Sequence, residues 1–267
     1  MKDNQKRERL NEAVIGEGLS IPVFVLNEVD STNTEARRRI LSEESMPQMI
    51  LAERQSAGRG RQGKSFFSPP DAGIYLSFAF PVSDGGAPLL LTTSAAVATM
   101  MAIRRVTGVT CGIKWVNDLY LRERKVAGIL AESLFVGERR FVIVGVGVNL
   151  YPSDFPAELS GIAGSVLADG SGLRNALAAE LCRSLAPLAE EALPRGFMEI
   201  YRAHSIVLGK DVVYLIDGER REGVAEDIDD CGRLLVRGAD GFSEWLASGE
   251  ITLRPKDAED RKKELKI

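Results

Sequence analysis

Apolar and polar positions change their period along the chain, and the changes mark out its elements. The stretch IPVFVLNEV, from Ile21, is rich in β-branched residues and reads as a strand. DSTNTEARRRILSEE follows, with Thr32 and Glu35 at the spacing of a capping box. That spacing predicts a helix starting just after Thr32, with Ser31, Thr32 and Asn33 at its N-terminal mouth. MILAE, from Met49, and GIYLSFAF, from Gly73, read as strands on either side of a glycine-rich stretch. Leu89 to Val106, apolar and rich in small residues, predicts a helix packed across a sheet. GIKWVNDLYL, VAGILAESLF and RRFVIVGVGVNL then read as successive strands joined by tight turns, a meander of antiparallel type. If Lys114 to Leu121 is one strand, Lys114, Val116, Asp118 and Tyr120 share a face, and Trp115, Asn117 and Leu119 the other.

After the proline-containing loop YPSDFPAELSGIAGSV, the segment LRNALAAELCRSLAPLAEEAL has a helical pattern that Pro187 bends or interrupts. From Ser205 the character changes to short strands divided by Gly and Asp turns, which fits a small β-barrel. The expected fold is α+β: a mixed, largely antiparallel sheet with helices over residues 21–204, then a barrel over 205–254. A short N-terminal extension, 1–20, and a charged tail, 255–267, flank them. No internal repeat is visible.

Composition adds mostly exclusions. The 267 residues carry a net charge of -4, which gives no electrostatic reason to expect nucleic acid as a partner. The first residues are charged and lack the apolar core of a signal peptide, and no apolar run approaches the length of a membrane span, so the expected location is the cytoplasm, with no membrane partner. Cys111, Cys182 and Cys231 form no C-x-x-C pair and read as buried free thiols. His204 is the one histidine, so a multi-histidine zinc site is impossible. It sits at a helix end beside no nucleophile motif, and packing is its expected role.

Residues 58–65, GRGRQGKS, satisfy the P-loop pattern letter for letter and also contain G-x-G-x-x-G. A P-loop needs a helix beginning at its lysine and serine, because the helix N-terminus helps to bind the phosphates. Here Lys64 and Ser65 run into FFSPPDAG, where Pro69 and Pro70 leave no room for one. The dinucleotide and kinase readings fail for want of the same helix or of the remaining kinase signals. What survives is a mobile loop of Gly58, Gly60 and Gly63 bearing Arg59, Arg61 and Lys64, suited to phosphate or simply solvated at the surface. A second constellation, KWVNDLYLRERKVAGIL, brings Lys125 onto a returning strand. GVGVN, from Gly145 to Asn149, offers side-chain-free positions where a flat ligand could lie against the backbone, although either piece could be ordinary sheet.

In order, DSTN, AERQSAGRGRQGKSFFSP, KWVNDLYL, RKVAGIL, VGVGVNL and a terminal GEITLR run from Val23 to Arg254, and this succession resembles the biotin protein ligases. The resemblance implies a catalytic domain like that of the class II aminoacyl-tRNA synthetases, followed by an SH3-like β-barrel. It also implies the reaction: biotin is activated with MgATP to biotinyl-5'-AMP, then transferred to a lysine of a biotin carboxyl carrier domain. The implied substrates and cofactors are biotin, ATP and Mg2+, with no dedicated metal ligands in the protein. By motif, Ser31, Thr32, Asn33, Gln55 and Gly128 would contact biotin. Arg59, Gly60 and Arg61 would close over the biotinyl and phosphate groups, and Lys125 would sit at the carboxylate and α-phosphate. Trp115, Asn117 and Asn149 would frame the nucleotide, and Asp118 would orient the incoming lysine. Catalysis would rest on Arg59, Arg61, Lys125 and Asp118, since attack of a carboxylate on a phosphate needs positioned cations.

Val116 stands where the family usually has proline, Phe66 where it often has tryptophan, and Gln62 and Lys64 where it often has arginine. The family's longer members carry an N-terminal winged-helix DNA-binding domain; here the first strand starts at Ile21, so no repressor role is expected. Two alternatives stay open at this level, a lipoate or octanoate ligase of the same superfamily and a non-catalytic biotin sensor. The oligomeric state is open too, a homodimer being one option.

Overall fold

Strand β3 (Gly73–Val82) opens with eight consecutive buried residues. An uninterrupted run of that kind belongs in the middle of a sheet covered on both faces. In the computed structural model of the protein, which describes residues 8–83, 88–170, 172–190, 196–216, 219–239, 241–249 and 251–253, it occupies that place. The sheet is formed by β1 (Val23–Val29), β2 (Gln48–Gln55), β3, β4 (Gly112–Lys114), β5 (Asp118–Leu121), β6 (Arg124–Val136) and β7 (Arg139–Asn149), in the order β1-β2-β3-β7-β6-β5-β4. Strands β1 and β2 pair in parallel across helix α2 (Thr32–Leu41); the other neighbours are antiparallel. The sheet is thus mixed and largely antiparallel, as the sequence pattern implies.

Alternation along each strand sends side chains to two cores. Ile50, Ala79 and Ile143 join Ala36 and Ile40 of α2. Their sequence neighbours Met49, Leu51, Phe78, Phe80, Val142 and Val144 enter the larger core beneath helix α3 (Pro88–Thr107). That core also takes helix α4 (Arg174–Leu185), which breaks into a 3-10 turn at Ala186–Glu190, where Pro187 stands, and helix α5 (Phe197–Ala203). Helix α3 is long and apolar enough by composition to cross a membrane over Leu89–Thr107, against the expectation that no run reaches such a length. Ala95, Ala96, Met100 and Ile103 are instead buried against the sheet and its helices.

A second, antiparallel sheet follows. It contains β8 (Asp211–Ile216), β9 (Glu219–Ile228), β10 (Leu234–Gly238), β11 (Ser243–Leu246) and β12 (Ile251–Leu253), in the order β11-β10-β9-β8-β12. Val212, Tyr214, Ala225, Leu234, Val236 and Ile251 alternate inward to fill it. The expected charged tail, 255–267, and Arg254 of the terminal motif lie outside the described residues.

Several expectations need correction. Residues 112–121 are not one strand: β4 and β5 form a hairpin in which Lys114 pairs with Asp118, and Trp115, Val116 and Asn117 make the turn. The Trp115–Val116 peptide is cis. The alternation of faces read across that segment therefore fails at the turn. Helix α2 starts at Thr32 with Ser31 as its N-cap, and Ser31 makes no side-chain cap bond. Glu35 turns to Arg38 and Arg39, so no capping box forms. Cys111 and Cys182 are buried, and desolvation pushes their thiols up to about 11 and about 12; Cys231 is exposed.

The described part of the N-terminal extension, from residue 8, is tied to the sheet. It contains helix α1 (Glu12–Gly16), and the Leu10 N–H donates to Glu53 Oε1 at 2.7 Å. Glu53 also pairs with the fully buried Arg174, whose Nε donates to the Gly73 carbonyl at 2.9 Å. One charge pair thus ties together the N-terminal segment, β2, β3 and α4. Removing one partner of such a pair leaves the other charge buried without compensation. Arg174→Met is expected to cost about 3 to 5 kcal/mol in urea denaturation; a loss below about 1 kcal/mol, the scale of an exposed pair, would contradict this role.

Candidate active site

Where β1 gives way to α2, the first turn of the helix faces the end of β2. Gln55 caps that helix from a distance: its Oε1 accepts from the Thr32 N–H at 2.8 Å and lies 3.1 Å from Thr32 Oγ1. Its Nε2 donates to Ser68 Oγ at 2.8 Å. Ser77 Oγ, on β3, lies 2.8 Å from Thr32 Oγ1 and 2.5 Å from Asn33 Oδ1. Ser31, Thr32, Asn33 and Ser77 are all buried, and the last three are linked through the Ser77 hydroxyl.

GRGRQGKS folds over them as a tight loop, with no helix following it. Gly60 N–H donates to Lys64 O at 2.7 Å and Phe66 N–H to Gly58 O at 2.9 Å, with a single 3-10 turn at Arg61–Gly63. Gly58 is required because a Cβ there would lie 2.4 Å from Phe66 O. Gly63 is required for another reason, its φ of +74°.

The loop's cations point to defined partners. Arg59 Nη2 lies 2.9 Å from Glu132 Oε1, and Arg61 Nη1 donates to Asn117 Oδ1 at 3.1 Å. Asn117 is fixed in turn by its own Nδ2, which donates to Ile129 O at 2.8 Å. Lys125 Nζ stands 2.6 Å from Asp118 Oδ1, and Gly128 leaves room for both: a Cβ there would come within 3.1 Å of the ammonium. The turn carrying Asn117 and Asp118 is held from behind by Tyr201, whose hydroxyl donates to Val116 O at 2.9 Å. Trp115 Nε1 donates to Gly232 O at 2.9 Å, on the turn between β9 and β10.

Ser31, Thr32, Asn33, Gln55, Arg59, Gly60, Arg61, Trp115, Asn117, Asp118, Lys125, Gly128 and Asn149 all line one cavity of about 480 Å3. Neutral, hydrogen-bonding groups of Ser31, Thr32, Asn33 and Gln55 line it together with five cations, Arg59, Arg61, Lys64, Lys114 and Lys125. Gly145 and Gly147 line the same cavity, but neighbouring side chains share the space they leave: a Cβ on Gly145 would lie 2.2 Å from Asn33 Oδ1, and one on Gly147 would lie 2.6 Å from the Phe66 ring. The protein's own side chains make those close approaches. His204 is the C-cap of α5, its Nδ1 3.0 Å from Ile200 O, and does not line the cavity. Glu132 and Ser77 were not singled out from sequence. Each had a signal, as a lone acid in VAGILAESLF and a lone hydroxyl in GIYLSFAF.

A mixed α+β sheet with such a cavity, followed by an antiparallel β unit, has the concave, part-polar site of a small-molecule binder. Comparison with known proteins makes this specific. Residues 25–149 match the Biotin/lipoate A/B protein ligase family, and residues 207–254 match the Biotin protein ligase C terminal domain. The bifunctional ligase/repressor BirA of Escherichia coli K12 is 31% identical over 240 residues, covering 87% of this chain and 74% of that protein. The biotin--[acetyl-CoA-carboxylase] ligase of Mycobacterium tuberculosis is 34% identical over 240 residues, covering 85% and 88%. Among solved structures, a biotin protein ligase from Aquifex aeolicus in complex with biotin and ATP superposes with a TM-score of 0.70 at 25% identity, over 88% of this chain and 99% of that one. The chain belongs to the biotin protein ligase family.

The fit between Gly145 and Asn33 can be tested by stability alone. Gly145→Ala forces Asn33 out of its network and is expected to cost about 1 to 3 kcal/mol in thermal or urea unfolding. Gly161→Ala, where a Cβ would meet nothing within 4 Å, is expected to stay within about 0.5 kcal/mol of the parent. Equal effects of the two substitutions would contradict the close approach.

Proposed function

We propose that the cavity activates biotin with ATP to biotinyl-5'-AMP and then passes the biotinyl group to a lysine of a biotin carboxyl carrier domain. The convergence of Arg59, Arg61 and Lys125 on the mouth of a neutral, hydrogen-bonding floor is the observation that carries this reading. The floor, with Ser31, Thr32, Asn33 and Gln55, takes the ureido head. The mouth takes what is charged: the biotin carboxylate and the phosphates of ATP, framed by Trp115, Asn117 and Asn149.

In the first step a biotin carboxylate oxygen attacks the α-phosphorus, the bond to the β-phosphate oxygen breaks, and pyrophosphate leaves. Two anions must approach for this, and fixed cations offset their repulsion without reorganising at the moment of reaction. In the second step the acceptor amine attacks the acyl carbon and AMP leaves with the phosphate oxygen. Asp118, already beside Lys125, is placed to orient that amine and to take up its proton. A closed loop over the adenylate keeps water from the mixed anhydride.

Magnesium enters this proposal with ATP, held by its phosphates. Among the described residues no group of three or more His, Cys, Asp or Glu could hold a metal ion. No step is therefore routed through the ion. The need for ATP supports a location in the cytoplasm.

Biotin-dependent exchange of pyrophosphate into ATP tests the first step. Exchange is expected with biotin and not with lipoate or octanoate; the reverse preference would contradict the reading. Arg59→Ala and Lys125→Ala are each expected to lose about 2 to 4 kcal/mol of transition-state stabilisation in kcat/KM. Near-parent rates in both would show that the cations do not serve the reaction.

A further inference from the structure

Glu132 stands on β6 beneath the arginine loop, outside the motifs that mark the site. Its Oε1 lies 2.9 Å from Arg59 Nη2, while its Oε2 accepts from Arg59 Nη1 at 3.2 Å and from Asn33 Nδ2 at 2.8 Å. An ionised carboxylate only accepts. It therefore sets the Asn33 amide with its nitrogen toward β6 and its oxygen toward Ser77. From Ser77 the contacts continue through Thr32 and Gln55 to Ser68, whose hydroxyl donates to Phe66 O at 2.9 Å. A polar chain that begins on Arg59, near one end of the loop, thus returns to Phe66 at its other end. Glu132 is the anion of that chain and the point where floor and loop meet.

We propose that Glu132 is a positioning residue that couples the biotin-facing floor to the arginine loop, so that Asn33 and Arg59 are set together by one carboxylate. This rests on the biotin ligase reading above. Oε2 meets both partners, and Oε1 completes a paired, charged contact with Arg59. A glutamine that keeps its oxygen at the Oε2 position retains Asn33 and Arg59 Nη1, but it sets its amide nitrogen against Arg59 Nη2 and removes the charge, so Glu132→Gln weakens the hold on Arg59 and with it the coupling.

The test is steady-state biotin-dependent pyrophosphate exchange by Glu132→Gln, with KM for biotin, KM for ATP and kcat determined separately. The expected result is a rise of about tenfold or more in KM for biotin together with a fall in kcat, the scale of losing a hydrogen bond to a charged group, with KM for ATP little changed. In the Arg59→Ala background the same substitution is expected to lose much less, because the shared link is already broken. Parent values of both KM for biotin and kcat in Glu132→Gln would overturn the proposal, as would losses that simply multiply in the double variant. Should Glu132→Gln melt below the assay temperature, Glu132→Asp, which keeps the charge but falls short by one methylene, is measured against the same criteria. An inactive parent protein would refute the biotin reading itself; an active parent with an indifferent Glu132 variant refutes only the coupling.

Discussion

The arrangement of the site depends on a set of buried polar groups that hydrogen-bond one another. Thr32, Asn33, Ser68 and Ser77 are buried, and Gln55 and Glu132 close the chain between them. Each such group left without a partner would cost about 1 to 3 kcal/mol. The least costly solution brings the first turn of α2, the end of β2, the middle of β3, β6 and the glycine-arginine loop into one constellation. Ser31 makes no side-chain cap bond, and Gln55 takes the Thr32 N–H at the helix start. A neutral floor with fixed donor and acceptor directions follows from that geometry, and the cations above it are held by Glu132, Asn117 and Asp118.

The rest of the molecule keeps these groups in place. Strands β3, β6 and β7 are long and paired along nearly their whole length, so the cavity wall is built on a rigid sheet. The turn between β4 and β5 gains its rigidity from outside the sheet. Tyr201 on α5 holds Val116, and the Gly232 carbonyl, at the edge of the second sheet, holds Trp115. The second sheet thus buttresses the turn that carries Asn117 and Asp118, and Gly249 and Ile251 reach the cavity itself. Far from the chemistry, Arg174 and Glu53 perform the corresponding task for the N-terminal segment.

Most strands were legible in the sequence because their periods end in unmistakable turns, as at Gly137 between β6 and β7. The failure at residues 115–117 has a physical reason: the alternation of KWVNDL runs through the hairpin turn without a glycine to mark it. Capping of α2 by Gln55 was hidden because its partners are 23 residues apart, and local spacing instead pointed to Thr32 and Glu35. The site residues were found through motif order, which brought Arg59, Arg61 and Lys125 to one cavity but said nothing of what holds them. Glu132 and Ser77 could be recognised only once three strands were aligned. Gly145 and Gly147 do line the cavity, but sequence shows only the missing side chains and not that Asn33 and Phe66 approach them.

The departures from family pattern fall at the rim and at the supporting turn. Phe66 packs over Gly147, Val116 sits in the turn held by Tyr201, and Gln62 adopts a φ of +54° within the loop. The three central cations and the floor remain. The central claim is that this constellation makes and transfers biotinyl-adenylate. Intact-mass spectrometry of a biotin carboxyl carrier domain incubated with the protein, biotin and MgATP tests it most directly. The account predicts a shift by one biotinyl group, located on a single lysine and absent without ATP; an unmodified carrier domain, or modification only when lipoate replaces biotin, would contradict it.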